Sequence, residues 1–273
     1  LMTNTMIPKR DVKSYAGKVS HVANLIWAMK PFMEQLWAAC EAKAGNAARR
    51  GSVWKRQVHD ALTWALAFLR EQHGPLIREW RLSAYMTSST DVIITFDASP
   101  WGLGGILVIG CAVHSCFASK LTHEDEVIHN TVIGQHESQQ VFEALSIRVA
   151  AKLWIGIFRK KRVVVTLTSD NTSALAMTAT FKVTASPLIS KELTLSFSES
   201  SFQPRHVDHL PGVMNTYADA LSRLYEPNAR YRIPEELKKA KQMHAPRRTR
   251  AYYSTLAHAA QGGVVSRVVG WGF

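Results

Sequence analysis

"TFDASPWGLGG", Thr95 to Gly105, decides the fold. Val92, Ile93, Ile94, Thr95 and Phe96 run straight into Asp97, and Gly102, Gly104 and Gly105 follow. A short apolar run bounded by turn residues reads as a buried strand. An ionised carboxylate at its end is costly to bury unless something pairs with it. The rest of the chain must therefore supply Asp97 with a partner.

Residues 91–225 carry an alternating pattern. Strands are predicted over about 92–97, 104–110 and 112–118, then a solvated loop rich in His and acids from Thr122 to His136. A long helix follows from about Gln139 to Phe158, with Val141, Leu145, Val149 and Leu153 on one stripe. The run from Val163 to Leu167 is a second buried strand, ending at Ser169-Asp170. Helices begin near Thr172 and Pro187, a strand lies around Phe202–Val207, and Ala218 to Leu224 closes as a helix. Pro204 places that last strand at a sheet edge, where a missing donor is tolerated. Strand, long helix and strand together favour a parallel pair with a right-handed crossover, which would bring Asp97 and Asp170 side by side. The fold class is α/β, a mixed sheet flanked by helices.

Residues 1–89 read instead as a small helical segment. Phe32, Met33, Leu36, Trp37 and Cys40 recur at helical spacing, as do Trp54, Val58, Ala61, Leu62, Ala65 and Leu69. Such stripes build a core and carry no chemistry. Residues 226–273 form a basic C-terminal extension, expected to be loosely ordered, because Arg230, Arg232, Lys238, Lys239, Lys241, Arg247, Arg248 and Arg250 are barely offset by acids.

The chain has 33 Lys and Arg against 21 Asp and Glu, a net charge of +12, which points to a polyanionic partner such as nucleic acid. Ala98 to Ser119 carries no Asp, Glu, Lys or Arg, yet Pro100 and its many glycines suit turning strands rather than a membrane helix. No signal-peptide pattern is visible. Cys40, Cys111 and Cys116 form no CxxC pair, which suits a reducing, intracellular setting, cytoplasmic or nuclear. Position 1 is Leu, so the chain reads as a piece of a longer frame.

Two further acids join Asp97 and Asp170. Glu143 lies near the start of the long helix, and Asp219 lies in "HLPGVMNTYADALSRL". The stretches "TFDAS…GLGG", E-A-L from Glu143, "TSDNTSAL" and "HLPG…N…ADALSR" occur in that order over about residues 90–225. Together they resemble the RNase H domain of retroelement reverse transcriptase polyproteins. The ADALSR ending is similar to gypsy-like and tyrosine-recombinase elements. "SYAGKVSHVANLIWAMKPFMEQLW" resembles the helical segment joining the polymerase thumb to RNase H in such polyproteins. No Y-x-D-D motif is present, so the resemblance implies a polymerase domain upstream of this chain.

The resemblance implies an RNase H-like sheet, hydrolysis of the RNA strand of RNA–DNA hybrids, and two Mg²⁺ ions, with Mn²⁺ as a substitute. The metal-binding acids would be Asp97, Glu143, Asp170 and Asp219. His209, ten positions before Asp219, would be the mobile histidine of the family, and Asn215 also matches. Type 1 enzymes often carry paired Asn before the helix Glu, where this chain has Gln139 and Gln140. These two and Asn171 are the candidates for reading the hybrid. Hard oxygen ligands suit Mg²⁺, and paired ions activate a water and stabilise the leaving oxygen of a phosphodiester.

Competing readings stay open. Either strand-end Asp alone is often a cap, and Asp170 before Asn171-Thr172 has the pattern of one. Glu137 rivals Glu143 but precedes the regular helix face. His123-Glu124-Asp125-Glu126 with His129 fits no zinc spacing and reads as solvated. His206 reads as structural. At the level of function, the alternatives are a catalytically inactive RNase H-like binding or connection domain of a degraded element, and another nuclease or integrase on the same fold.

Overall fold

Ile7 and Val53 face each other in a short antiparallel ribbon, β1 (Met6–Pro8) and β2 (Ser52–Trp54), that opens a computed structural model of the chain. The structure describes residues 5–25, 29–42, 51–70, 90–158, 163–180, 186–199, 204–228 and 231–253. The chain divides into two compact units, whose main parts are Leu1–Glu79 and Trp80–Ser254. The expected boundary at residue 89 lies outside the described residues.

The first unit adds three helices to the ribbon, α1 (Lys9–Leu25), α2 (Lys30–Cys40) and α3 (Lys55–Leu69). Most residues of the predicted stripes form its core, Phe32, Met33, Leu36 and Cys40 on α2 and Val58, Ala61, Leu62 and Ala65 on α3, whereas Trp37 is exposed and Trp54 lies in β2. Spacings of three and four put these residues on one helix face. Phe32 stacks on Trp64 with ring centroids 4.8 Å apart. Leu69 is 70% exposed, so the stripe ends before it. The ribbon was not foreseen, because three-residue strands are too short to show a period.

The second unit is built on a six-stranded sheet. Its strands are β3 (Thr90–Ala98), β4 (Gly102–Ile109), β5 (Ala112–Lys120), β6 (Val163–Ser169), β7 (Pro204–His209) and β8 (Lys241–Met243), in the order β7-β6-β3-β4-β5-β8. Strands β3, β4 and β5 pair antiparallel, while β3–β6, β6–β7 and β5–β8 pair parallel. The stretch from Ala98 to Ser119 is thus consecutive hairpin strands, and among the described residues no helix is long and apolar enough to cross a membrane. Strand β7 is at an edge, and Pro204 is its first residue.

Helices α4 (His123–His129), α5 (Gln139–Phe158), α6 (Thr172–Thr180), α7 (Pro187–Glu199) and α8 (Thr216–Ser222) accompany the sheet. Helix α5 packs on β3 and β4 and also against α7. It is therefore buried on more than one side, including Phe142, Ala144, Leu145, Ile147, Val149, Ala150 and Trp154. The result is the expected α/β architecture, a mixed sheet flanked by helices and compatible with an RNase H-like domain.

Two expectations are corrected. The stretch Thr122 to His136 is not a solvated loop: it holds α4, opened by a capping box between Thr122 and Asp125. Nor is the basic extension loose through residue 253. Leu237 is fully buried in a cluster with Ile106, Cys116 and Leu221, and β8 extends the sheet beside β5. Arg248, only 3% exposed, grips both carboxylate oxygens of Asp125 at 2.7 and 2.9 Å, and also Ser119 Oγ and the Lys120 carbonyl. The Tyr253 hydroxyl meets His129 Nε2 at 2.8 Å. Charge counting mistook this strap for a solvated tail because its apolar anchors are few and widely spaced. Burial of Asp125 and Arg248 is tolerated because each neutralises and hydrogen-bonds the other.

Candidate active site

The register of the parallel pair sets the centre of the site. Thr95 pairs with Thr168, an offset of 73, and the same offset carries Asp97 to the level of Asp170. The Thr95 and Thr168 hydroxyls meet at 2.7 Å on the way. Side chains alternate along a strand, so Asp97 leaves β3 on the same face as Thr95. Asp97 is 5% exposed, whereas Asp170, just past the end of β6, is half-buried.

Helix α5 delivers Glu143 to this end of the sheet. Ser146, one turn further on, is fully buried, and its hydroxyl lies 2.9 Å from the Asp97 carbonyl and 3.1 Å from that of Gly104, sharing its one proton between them and fixing the helix over the β3–β4 hairpin. Glu143 is 3% exposed, and its Oε2 has no hydrogen-bond partner among the described residues. Glu137 is exposed in a 3-10 turn before the helix.

Helix α8 brings Asp219, and the glycines of β4 make room for it. A Cβ on Gly104 would stand 2.5 Å from the Ala218 carbonyl and 2.6 Å from the Ser222 nitrogen. One on Gly102 would stand 2.5 Å from the Ser222 carbonyl. The glycine run is therefore a backbone contact surface for the helix. Asp219 Oδ1 accepts from Arg223 Nε, one turn along, in a half-exposed ion pair.

The electrostatics reflect this crowding. Burial foremost pushes the Asp97 carboxyl up to about 7, with Asp170 and Asp219 adding to the rise and Ser222 and Arg223 opposing it. Burial likewise holds Glu143 well above the ordinary carboxylate range. Asp97 and Asp170 push in the same direction, while hydrogen bonds from Gln139 and Asn171 favour the charged form. The four acids thus come from four separate elements to one end of the sheet. As they stand, no three His, Cys, Asp or Glu side chains among the described residues are arranged to hold a metal ion. Asp219 is turned to Arg223, and Asp97 Oδ2 accepts from Ser222 Oγ at 2.6 Å.

The remaining candidates divide. His209 is exposed at the end of β7, with Nε2 3.1 Å from the Asp170 carbonyl. The Cβ position of Gly212 lies 3.3 Å from Asp170 Oδ2, so the β7–α8 loop runs beside this carboxylate. Asn171, not Asp170, caps α6: its Oδ1 accepts from the Ala174 nitrogen at 3.1 Å. That leaves the Asp170 carboxylate for other work. Gln139 is engaged internally, donating to the Ala98 carbonyl (2.5 Å) and to Glu143 Oε1 (3.0 Å). Gln140 is exposed. Asn215, 1% exposed, precedes α8, and both polar atoms of its side chain lack partners among the described residues. The side chain of His206 lies outside the described residues.

Sequence reading missed Ser146, Ser222 and Arg223. The signal was present as spacing: Ser146 and Ser222 follow Glu143 and Asp219 by three positions, and Arg223 follows Asp219 by four.

No protein-family model matches the sequence, and comparison with curated proteins finds no match. Among solved structures, the chain is similar to a foamy viral protease–reverse transcriptase in complex with double-stranded DNA, at 11% identity and a TM-score of 0.23. The match covers 90% of this chain and 38% of the viral one, a superposition too loose to bear on fold or function.

Proposed function

We propose that the second unit is an RNase H of the reverse transcriptase kind, hydrolysing the RNA strand of RNA–DNA hybrids. One observation carries the reading: Asp97, Glu143, Asp170 and Asp219 arrive from β3, α5, the end of β6 and α8 at one place, with two of them buried. Buried carboxylates packed among other acids are unfavourable without a cation: burial foremost, with the neighbouring acids adding to it, raises the carboxyls of Asp97 and Glu143. Carboxylate oxygens are the hard donors that Mg²⁺ and Mn²⁺ prefer, and the buried, unpartnered Glu143 Oε2 is a donor in want of a cation. The residues fit two such ions in charge and chemistry once Asp219 leaves Arg223.

When bound, the ions would supply an activated water and a stabilised leaving oxygen. The chain's own residues do the rest. Ser146 and Gln139 keep Glu143 in place, and Asn171 holds the start of α6 beside Asp170. His209 is exposed beside Asp170, where an imidazole can pass a proton to the departing 3′ oxygen. Gln140, exposed at the start of α5, would meet the hybrid, whose RNA strand displays 2′-hydroxyls across a wide minor groove, while Asn171 caps α6. Gln139, tied to Ala98 and Glu143, acts through the helix rather than on the substrate. Asn215, buried at the start of α8, closes the loop that follows His209 through its backbone nitrogen, which donates to the Pro211 and Gly212 carbonyls. The net charge of +12 suits a polyanion, and a polymerase domain of the same polyprotein is the natural neighbour.

A second reading is favoured by the Asp219–Arg223 pair: a hybrid-binding domain in which Arg223 permanently neutralises the fourth acid. A hybrid with labelled RNA, incubated with the full chain and Mg²⁺, separates the two. Cleavage of the RNA strand, lost in Asp170→Asn with binding retained, is the result expected of the enzyme. Tight binding with no cleavage in Mg²⁺ or Mn²⁺ establishes the second reading instead.

A further inference from the structure

Ser222 belongs to the ADALSR stretch, yet the chemistry above gives it no task. It is fully buried at the end of α8, one turn after Asp219. Its hydroxyl lies 2.6 Å from Asp97 Oδ2 and 2.9 Å from the Asp219 carbonyl. A hydroxyl has one proton, and the carboxylate is the closer and stronger acceptor. Among the described residues no hydrogen bond engages Asp97 Oδ1.

The backbone of Ser222 is held as firmly as its side chain. Its carbonyl accepts from Ser99 Oγ at 2.8 Å, and the same oxygen of Ser99 accepts from the Gly102 nitrogen at 3.1 Å. A Cβ on Gly102 would block the approach to the Ser222 carbonyl, and one on Gly104 those to the Ser222 nitrogen and the Ala218 carbonyl. Asp97, Ser99, Gly102 and Gly104 of "DASPWGLGG" thus all approach this one serine.

We propose that Ser222 is a positioning residue, which fixes the Asp97 carboxylate for metal binding by holding Oδ2 and leaving Oδ1 as the ligand oxygen. The inference rests on the two-metal reading of the acids. A hydroxyl suits the task because it orients a carboxylate without neutralising it. The charge that attracts the cation survives, whereas a Lys or Arg in the same place would cancel it. Because Ser222 and Asp219 lie on one short helix, the same contact also sets the distance between two acids that are 122 positions apart in sequence. Partners that orient metal ligands are commonly worth 10- to 100-fold in metal affinity.

The test is Mn²⁺ binding by the full chain without substrate, with free ion read by electron paramagnetic resonance, alongside thermal melts in chelator. Ser222→Ala should weaken Mn²⁺ binding about 10- to 100-fold, with the metal-free melting temperature little changed. In an Asp97→Asn background the added Ser222→Ala should cost nothing more, since the carboxylate it positions is gone. Equal affinity of Ser222→Ala and wild type, or the same loss in both backgrounds, overturns the inference while the two-metal reading stands. A Ser222→Ala chain that fails to fold while the double variant folds makes the hydroxyl a stabiliser of buried charge alone, and also overturns it. Absence of Mn²⁺ binding by the wild type removes the two-metal reading, and this inference with it.

Discussion

Asp97→Asn should stabilise the metal-free protein while abolishing its proposed activity. The Asp97 carboxyl sits at about 7 instead of its ordinary 3.8, chiefly because burial penalises the charge. A folded pKa above the unfolded one contributes stability that is complete below pH 3.8 and is lost as pH rises through 7. The gap is roughly three pH units at 1.36 kcal/mol each, so the wild type forfeits about 4 kcal/mol by pH 8. Asparagine is neutral throughout and still accepts the Ser222 hydrogen bond. Metal-free Asp97→Asn should therefore exceed wild type by up to about 4 kcal/mol at pH 8, roughly 10 °C in melting temperature. The gain should shrink steadily on acidification and vanish near pH 4, where both side chains are neutral. Urea unfolding in chelator at several pH values, followed by tryptophan fluorescence, measures it directly. Added Mg²⁺ should then stabilise the wild type more than the variant. A gain that is constant with pH, or a loss at pH 8, would refute the claim that Asp97 is a desolvated charge awaiting a cation.

Other consequences can be checked alongside. Arg248→Ala leaves Asp125 buried and unpaired, so unfolding free energy should drop by roughly 3–5 kcal/mol, and adding Asp125→Asn should recover part of it; a drop below about 1 kcal/mol would show that the strap does not hold the domain together. Gly104→Ala drives a Cβ into the backbone of α8 and should cost roughly 1–3 kcal/mol together with cleavage; chemical denaturation of a fully active variant at wild-type stability would contradict the glycine assignment. Ending the chain at Tyr225 removes Leu237, β8 and Arg248, so the cooperative unfolding transition of the second unit should be lost rather than merely the salt dependence of hybrid binding. A sharp transition in that shortened chain would restore the view of a dispensable basic tail.

What was legible in sequence was legible because it is local. The apolar runs ending at Asp97 and Asp170, and the helix between them, carry their periods within a few residues. The parallel pairing of β3 with β6 then puts both acids at the same end of the sheet. Glu143 was preferred over Glu137 on the face of a regular helix, and the structure buries the one and exposes the other. The cap at Asn171 was one residue away from its expected place, since short polar side chains compete for the same backbone donors.

By itself, then, the sequence determined the strand–helix alternation, the acids at strand ends and the stripes that form the cores, all consequences of backbone period and hydrophobic run length. Only the tertiary structure decided that Ser222 would hold Asp97 across 125 positions, that Arg223 would turn Asp219 aside, and that Arg248 would bury itself on Asp125. A charged side chain can be a solvated surface group or a buried partner with the same local sequence around it. Which one it becomes depends on the charge and backbone that long-range packing sets beside it, because only there is the cost of desolvation repaid.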